Sequence, residues 1–524
     1  MNKRVKLEVN IDNVRHNYLL NREITKQGEL CIPMIKADAY GFNQIHVVNS
    51  LLTMDKPQKD FFVYSIGEGV ELRMAFGDKI NKIYCVVGCV SDGEEELAVK
   101  YNLIPTINNL QQLRRFSNEA KKVGKTLEIT MQINLGLNRS GLMQHELDEA
   151  KKIIEDKNNK LNLTMVFGHL ACQYELDTEL GKKYTKKEYD LFIDSAKKFP
   201  YAIRGLLGGI GILKIPEGHL ETSRPGTTLY AAQPQGETRY IFKDLLTITA
   251  PVHILKGTKD TIYIDFGIRN GLCHAYEQNG FVYIDDEKVK VNKLEYDKTL
   301  FKVKDNSKYE GKTALLVGYH GNKHIGGFQF SDMNGTVPEE ELYRVVINED
   351  IHADEVDCST NGGCEIKRPN INKIINFKNT VKLTKDKHIK TLFSTITEIR
   401  TIERDGACGY DAGEDVKTGD IIATMPFGYA DGFARAISQT KVLLYVKHGN
   451  EFLPCPLCGR IPMDQACFRI PFEYKDKIKV GDEVYLIDEE NDITADRFEQ
   501  ATNSIQDDLF YLVPYGKRTK IIIE

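Results

Sequence analysis

The sequence predicts an α/β protein: an N-terminal (β/α)8 barrel of the TIM type, followed by a mostly-β region that includes a second, inserted copy of one β-domain. Two observations predict the barrel and its end. Short β-rich runs alternate with amphipathic helical stretches up to about residue 240, and short strands dominate beyond that point. A third observation, an internal repeat, divides the chain into predicted domains 1–243, 244–389 and 390–524.

The number of alternations favours a closed barrel. Strand candidates such as Ile32–Ile35 and Phe61–Ile66 are separated by helical patterns such as Leu110–Val123. About seven or eight alternations in about 240 residues suit a barrel of parallel strands better than an open sheet. Catalytic groups are therefore expected at the C-terminal ends of the barrel strands.

The β region contains segments that match one another in order and, broadly, in separation. The matched pairs are 245–255 with 392–402, 265–275 with 426–436, and 292–298 with 459–465. We infer two copies of one β-domain, the first β copy at 244–320 and the second β copy at 390–524. A charged connection of about 70 residues, rich in Gly and Asn, joins them.

The composition excludes several classes of function. With 70 Lys and Arg against 75 Asp and Glu, the net charge of -5 gives no electrostatic argument for nucleic-acid binding. No apolar run approaches the roughly 18 residues of a membrane span, and the polar start does not resemble a signal peptide. Eleven Cys in 524 residues are too sparse for a disulfide scaffold, so we expect a cytoplasmic protein with reduced thiols.

The strongest local signal for chemistry is the segment Pro33–Gly41, in which Lys36 directly follows a buried strand. Apolar surroundings favour the neutral amine, which is the nucleophilic form that reacts with carbonyl groups. A lysine at a strand end also commonly reaches out to solvent, so Lys36 alone does not settle a function.

Other polar groups follow other strands of the predicted barrel. Arg139 offers a fork for a carboxylate, His169 stands at a further strand end, and Arg224 stands at the last strand. The glycine-rich turn 205–211 has N–H groups that suit a phosphate. Each of these features alone also fits a purely structural role.

Taken together, the motifs resemble those of the alanine racemase family, and they occur in that family's order. They are Lys36–Gly41, Gly136–Arg139, Arg224–Gly226 with Leu229–Tyr230, Gly428–Gly432 and Gly459–Gln465. The resemblance covers residues 1–243 and 390–524. It implies a pyridoxal-phosphate (PLP) barrel followed by a β-domain, a small amino acid as substrate, and a homodimer whose active sites are shared between subunits.

The resemblance assigns roles to residues of one site, and it implies no metal. Cofactor-binding roles fall to Lys36, Tyr40, His169, Gly209 and Arg224, catalytic roles to Lys36 and Tyr429, and substrate-binding roles to Arg139 and the backbone of Met463. Lys36 and Tyr429 are implied to be the two bases, with Tyr429 delivered by the partner subunit. His169 is implied to link Arg224 to Tyr429. The implied reaction interconverts L-alanine and D-alanine, a cell wall precursor.

Four features depart from the family pattern. Gln132 stands where many members carry a carbamylated lysine, and Gly209 stands where a serine usually binds the phosphate. Asp507 falls where a tyrosine commonly flanks the phosphate, and an anion there would repel it. The first β copy is the largest departure. Its residue Ile268 matches Tyr429 and cannot exchange a proton, so we expect the first β copy to be a structural or interface module.

Other functions remain open at this stage. A racemase of another amino acid such as serine, a decarboxylase of the same architecture, and a PLP-binding protein without turnover all share parts of this pattern. The thiols of Cys455, Cys458, Cys358 and Cys364 could bind zinc, but the spacing of the last two is wrong for a zinc knuckle. Unpaired reduced thiols are the preferred interpretation.

Overall fold

Seven parallel strands form the wall of the N-terminal barrel in the computed structural model. The structure describes residues 5–173, 175–230, 233–234, 236–347, 366–372, 374–386, 388–502, 510 and 518–523. After β1 (Lys6–Val9), the wall strands are β2 (Asp60–Val63), β3 (Lys82–Cys85), β4 (Ile104–Ile107), β5 (Leu127–Gln132), β6 (Leu161–Phe167), β7 (Ile203–Gly208) and β8 (Thr222–Arg224). Parallel bridges from Cys31 to Ser223 and from Met34 to Phe62 place residues 31–34 between β8 and β2. The predicted barrel is confirmed.

Helical segments follow most of the strands of the barrel. They are α1 (Asp12–Thr25), α2 (Lys36–Tyr40), α3 (Gln44–Leu52), α4 (Ile66–Phe76), α5 (Glu94–Lys100), α6 (Leu110–Val123), α7 (Leu147–Glu155), α8 (Glu179–Ala196), α9 (Gly211–Lys214) and α10 (Thr227–Tyr230). Of these, α2 is a short segment with left-handed backbone angles. Helix α6 shows why these segments are helical. The Asn109 side chain caps its first turn, Gly124 ends it in a left-handed conformation, and Leu113, Phe116 and Ala120 bury one face at helical spacing.

Strand β1 leaves the barrel and joins an antiparallel sheet formed by the next part of the chain. This sheet contains β9 (Leu246–Pro251), β10 (His253–Ile254), β11 (Thr261–Ile264), β12 (Phe281–Ile284), β13 (Glu287–Leu294), β14 (Thr299–Lys302), β15 (Thr313–His320) and β16 (Lys323–Ile325). Three helices accompany it: α11 (Ala275–Asn279), α12 (Gly327–Met333) and α13 (Pro338–Val346). The last two lie in the segment that was expected to be a connection.

A second antiparallel sheet follows, which confirms the mostly-β character of the C-terminal region. It contains β17 (Asn379–Leu383), β18 (Ile389–Thr395), β19 (Glu398–Thr401), β22 (Ile421–Met425), β23 (Leu443–His448), β24 (Glu451–Cys458), β25 (Ala466–Ile470), β26 (Glu483–Asp488) and β27 (Thr519–Ile523). A separate hairpin pairs β20 (Gly406–Cys408) with β21 (Glu414–Val416), and α14 (Asp496–Thr502) follows β26. Strand β17 precedes the predicted boundary at residue 390.

The two antiparallel sheets have the same strand order. The first runs β9-β15-β12-β13-β14-β11-β10 and the second β18-β26-β23-β24-β25-β22-β19, with β1 and β17 added antiparallel to β9 and β18. Matching backbone contacts accompany this order: the amide of Ile268 donates to the carbonyl of Glu295, and that of Tyr429 to Pro462, at 3.2 Å each. The sheets differ at their edges, where β16 pairs with β15 and β27 with β17, and in one connection. The β20–β21 hairpin lies between β19 and β22, whereas residues 255–260 alone join β10 to β11.

Two large apolar clusters form most of the core. One extends continuously from the barrel into the first sheet and includes Val14 and Phe301. The other lies within the second sheet and includes Phe433. Tyr429 and Met463, which follow strands of the second sheet, belong to the first cluster. Buried apolar contact is the main stabilising term in folding, so the barrel and the first sheet are stabilised as one body.

Glu188 provides a test of how burial shapes stability. Its carboxylate on α8 accepts the amide of Ala171 at 3.1 and 3.2 Å, and burial raises its pKa to about 8. Because the folded-state pKa lies above the unfolded one, the cost of ionisation is absent at low pH and grows as the pH rises toward 8. We predict that the melting temperature of Glu188→Gln exceeds that of wild type at pH 9, by on the order of 5 °C, and that this gain shrinks toward pH 5.

Differential scanning calorimetry across this pH range measures the effect. The exposed Glu217 supplies the matched control, since Glu217→Gln should shift the melting temperature little at any pH. A gain from Glu188→Gln that does not depend on pH would contradict the assignment.

Candidate active site

A cavity of about 310 Å³ lies between the C-terminal ends of the barrel strands and the second β copy. Its lining brings together all the side chains that the sequence predicted for one site: Lys36, Tyr40, Arg139, His169, Gly209, Arg224, Tyr429 and Met463. All of them come from a single chain, although Tyr429 was expected from a partner subunit. Gln132 also lines the cavity. Asp507 lies outside the described residues.

Lys36 stands at the entry to an unusual turn. The next four residues, Ala37 to Tyr40, have φ between 50° and 57°, which is the left-handed region that L residues other than Asn and Asp rarely adopt. Two buried carboxylates hold this turn: Glu68 accepts the amide of Ala37 at 2.8 Å, and Asp38 accepts that of Gln44 at 2.9 Å. Strain of this kind persists only where the surroundings over-determine the backbone, which is common at functional sites.

The Lys36 ammonium meets a carboxylate of the second β copy. Nζ donates to Asp464 Oδ2 at 2.5 Å, and Arg518 donates to Asp464 Oδ1 at 2.7 Å. Burial alone would raise the pKa of Asp464, but the charges of Lys36 and Arg518 hold it below its usual value. The Tyr64 hydroxyl, from the barrel, donates to the backbone carbonyl of Asp464 at 3.0 Å. The ion pair therefore joins the barrel to the second β copy at the centre of the cavity.

Arg224 offers a buried hydrogen-bond donor to the cavity. Its Nη2 donates to the carbonyl of Gly168 at 2.7 Å, and its guanidinium lies 4.4 Å from the ring centroid of Phe167. Among the described residues, Nη1 has no acceptor although it is buried. Burial lowers the pKa of Arg224 to about 10, so the group stays charged at neutral pH. The absence of a side chain at Gly205 leaves room for Nη1, because a Cβ there would lie 3.0 Å from it.

The predicted contact between His169 and Tyr429 is wrong, and Tyr410 takes that place. His169 Nε2 lies 2.7 Å from the Tyr410 hydroxyl, and Arg139 Nη1 donates to the same oxygen at 3.4 Å. The Arg139 guanidinium also lies 5.4 Å from the Tyr410 ring centroid. Burial, helped by the positive charge of Arg139, holds the pKa of His169 well below its usual value, so the imidazole is neutral.

Tyr429 occupies a different part of the cavity wall. Its side chain is buried, and burial, followed by the negative charge of Glu339, raises its pKa well above the usual tyrosine value. Its backbone amide fixes the loop against Pro462. A phenol in these surroundings keeps its proton. The Tyr410 hydroxyl, by contrast, is hydrogen-bonded to both His169 and Arg139. The geometry therefore favours Tyr410 over Tyr429 as a group that exchanges protons.

The sequence did not predict Tyr410 as a site residue, because none of the motifs that resemble the family contains it. The residue lies in the β20–β21 hairpin, which the second β copy has and the first lacks. Backbone bonds fix this hairpin on the barrel: the amide of Gly409 donates to Leu137 at 3.0 Å, and that of Asp411 to Ala171 at 3.1 Å. An unmatched insertion between two matched strands was the available signal.

Glycines border the end of the cavity next to Tyr40. Gly209 has φ of 47°, and a Cβ at Gly226 would lie 2.4 Å from the Tyr40 hydroxyl. Tyr40 is held by stacking on Tyr230, with ring centroids 4.6 Å apart. Backbone that lines the cavity beside a phenol hydroxyl suits a phosphate group.

Gln132 does not orient Arg139 but donates to Ser140 at 3.3 Å.

Within the described ranges, no three or more His, Cys, Asp and Glu side chains are grouped to hold a metal ion. Cys455 and Cys458 are buried, unpaired thiols, whereas Cys358 and Cys364 lie outside the described residues. Across the same part of the chain, no helix has both the length and the apolarity that crossing a bilayer requires.

Comparison with solved structures identifies the fold. The alanine racemase of Bartonella henselae with covalently bound pyridoxal phosphate superposes with a TM-score of 0.58 at 20% identity, over 66% of this chain and 97% of that one. A Clostridium difficile alanine racemase in complex with cycloserine gives a TM-score of 0.52 at 22% identity, over 66% of this chain and 94% of that one. These solved structures share the barrel and β-domain architecture.

Sequence comparison identifies the family. The alanine racemase N-terminal domain model matches residues 9–234 and the C-terminal domain model residues 389–522. The alanine racemase of Carboxydothermus hydrogenoformans is 26% identical over 64% of this chain and 96% of its own length. That of Rickettsia typhi is 30% identical over 92% of this chain and 90% of its own length. With both family domains matched in order and similarity sustained through the segment between them, this chain belongs to the alanine racemase family.

Proposed function

We propose that the protein is a PLP-dependent alanine racemase in which Lys36 and Tyr410 are the two proton-exchanging groups. One observation carries the assignment: Lys36 and a tyrosine bonded to His169 and Arg139 line the same cavity. Exchange of the α-proton on either face of a planar carbon needs an acid–base group for each face. One amine and one phenol meet that need.

The cavity fits PLP. The Lys36 amine would bind the aldehyde, the backbone beside Gly209 and Gly226 with the Tyr40 hydroxyl would hold the phosphate, and Nη1 of Arg224 would face the ring nitrogen. When bound, PLP supplies the electron sink without which an α-proton is too weakly acidic to remove. The Arg224 guanidinium keeps its protons at neutral pH, so it would donate a hydrogen bond to the ring nitrogen without transferring a proton to it.

The surroundings of Tyr410 prepare its hydroxyl for proton exchange. The neutral His169 offers a ring nitrogen to the hydroxyl, and Nη1 of Arg139 donates to the same oxygen. Nε of Arg139 is buried without an acceptor among the described residues, so the guanidinium retains a donor for a substrate carboxylate. Tyr429 would instead contribute to the cavity wall beside Tyr40.

The biological setting follows from this function. We expect a cytoplasmic enzyme that supplies D-alanine as a cell wall precursor, and one that associates as a homodimer. Incubation with PLP and single L-amino acids in deuterated water tests the substrate, because racemisation introduces deuterium at the α-carbon. Formation of α-deuterated D-alanine is expected. Faster labelling of L-serine than of L-alanine would overturn the choice of substrate.

Lys36 should be the residue that holds the cofactor covalently, because it stands at the cavity centre on a rigid turn. Borohydride reduction of the PLP-loaded protein, followed by peptide mass spectrometry, should place the adduct on the Lys36 peptide. Lys36→Ala should abolish both the adduct and racemisation. Lys82, which pairs with Glu128 elsewhere on the barrel, supplies the control, since Lys82→Ala should leave the adduct intact. An adduct on another lysine would sink the assignment.

Tyr410→Phe should lower kcat by about 10²–10⁴-fold in at least one direction of racemisation, since that is the usual contribution of a positioned acid–base group. The PLP absorption band should be retained. Tyr429→Phe is the matched control and should reduce kcat by less than about tenfold, because Tyr429 is placed in the wall only. Circular dichroism of both variants checks folding. If Tyr429→Phe shows the larger loss, the roles of the two tyrosines are reversed.

A further inference from the structure

We propose that each chain contains a complete active site, in which the second β copy takes, on its own barrel, the position that the resemblance assigns to a partner subunit's β-domain. The first β copy takes the place of the chain's own β-domain. The term active site rests on the proposed function, but the arrangement itself does not. A single chain would thus contain one barrel and both of the β-domains that adjoin it in a family dimer, and it would have one functional site.

The first β copy is built into the barrel. Strand β1, at the N-terminus, pairs with β9 over four residues, from Lys6 opposite Thr249 to Val9 opposite Leu246. The hydrophobic core continues across this junction without a break. Side chains add to it, since the Asn17 amide donates to the carbonyl of Lys243 at 2.8 Å. The first β copy therefore cannot separate from the barrel without exposing the shared core.

The second β copy has a large core of its own and docks across the open end of the barrel. Polar bonds cross this contact: the Asn138 side chain donates to the carbonyl of Ala407 at 2.8 Å, and at the exposed edge Arg404 donates to the Gln144 side chain at 2.6 Å. A small apolar patch that includes Met463 joins the barrel cluster beside these bonds. A body with its own core and a mixed polar and apolar contact surface is what a subunit interface provides in other assemblies.

The first β copy lacks the parts that complete the site. Its strands β10 and β11 are joined by residues 255–260 alone, so nothing corresponds to the hairpin that carries Tyr410. Ile268 occupies the place of Tyr429 and is not among the residues that line the cavity. The first β copy thus keeps the strand order of the second without its chemistry.

The connection between the copies contacts both sides of the cavity. On α13, the Glu340 carboxylate accepts a hydrogen bond from the backbone amide of Arg435 in the second β copy at 2.8 Å. The neighbouring Glu339 carboxylate accepts one from the Thr227 hydroxyl of the barrel. Beyond the undescribed residues 348–365, Arg368 donates to Asp38 of the barrel at 2.9 Å. The segments on either side of this gap therefore both contact the barrel that carries Lys36.

Cross-linking tests the arrangement without recourse to activity. Gln144→Cys and Arg404→Cys, combined in one PLP-loaded protein, should react with a short bifunctional maleimide to give a product that runs as one chain on a denaturing gel and in which mass spectrometry finds the peptides of positions 144 and 404 joined. Each single variant serves as control for the natural cysteines. A covalent product with the mass of two chains, seen only in the double variant, would show that the second β copies are exchanged and would overturn the proposal.

Complementation supplies a second, independent test. Lys36→Ala and Tyr410→Phe chains, co-expressed with different tags and purified through both, should show no more activity than the two variants separately. If sites were shared, each mixed dimer selected by the two tags would contain one intact site of two and would recover about half of wild-type activity. Such recovery would overturn the proposal. Failure of the wild type to racemise alanine would instead refute the proposed function and leave the cross-linking result standing.

Discussion

The structure depends on the contact that closes the C-terminal end of the barrel. Parallel barrel strands leave their catalytic groups on an open face, and a carbanion formed there must be shielded from water. The second β copy provides the cover. Its hairpin is fixed to the barrel by backbone bonds from Gly409 and Asp411, so the Tyr410 ring is placed against His169 by main-chain rather than side-chain geometry.

A chain of buried charges specifies this contact more narrowly than apolar packing could. Lys36 pairs with Asp464, Arg518 pairs with both Asp464 and Asp431, and burial raises the pKa of Asp431 to about 6. Desolvation of such groups offsets much of their mutual attraction, so their contribution to stability is modest. An incorrect docking position would leave several charges buried and unpaired. The network therefore contributes mainly by fixing the position in which the second β copy docks against Lys36.

Comparison of the two β copies separates what the fold needs from what the chemistry needs. Gly267 and Gly428 are both kept, because a Cβ at either would lie within 2.5 Å of a backbone carbonyl oxygen across the loop. This requirement belongs to the loop and does not depend on catalysis. The hairpin around Tyr410 and the phenol of Tyr429 have no counterpart in the first β copy. The two copies thus share a loop geometry that backbone sterics require, although the first copy lacks the groups that line the cavity.

The sequence by itself determined the barrel, the β region and the motif residues, because periodicity and strand-end motifs are local properties of the chain. It placed Lys36, Arg139, His169 and Arg224 at strand ends, and parallel strands bring such ends together. Only the tertiary structure decided which tyrosine meets His169 and that Asp464 of the second β copy meets Lys36. Both facts depend on contacts between residues more than 200 positions apart, across a docked surface that leaves no periodic pattern in the sequence.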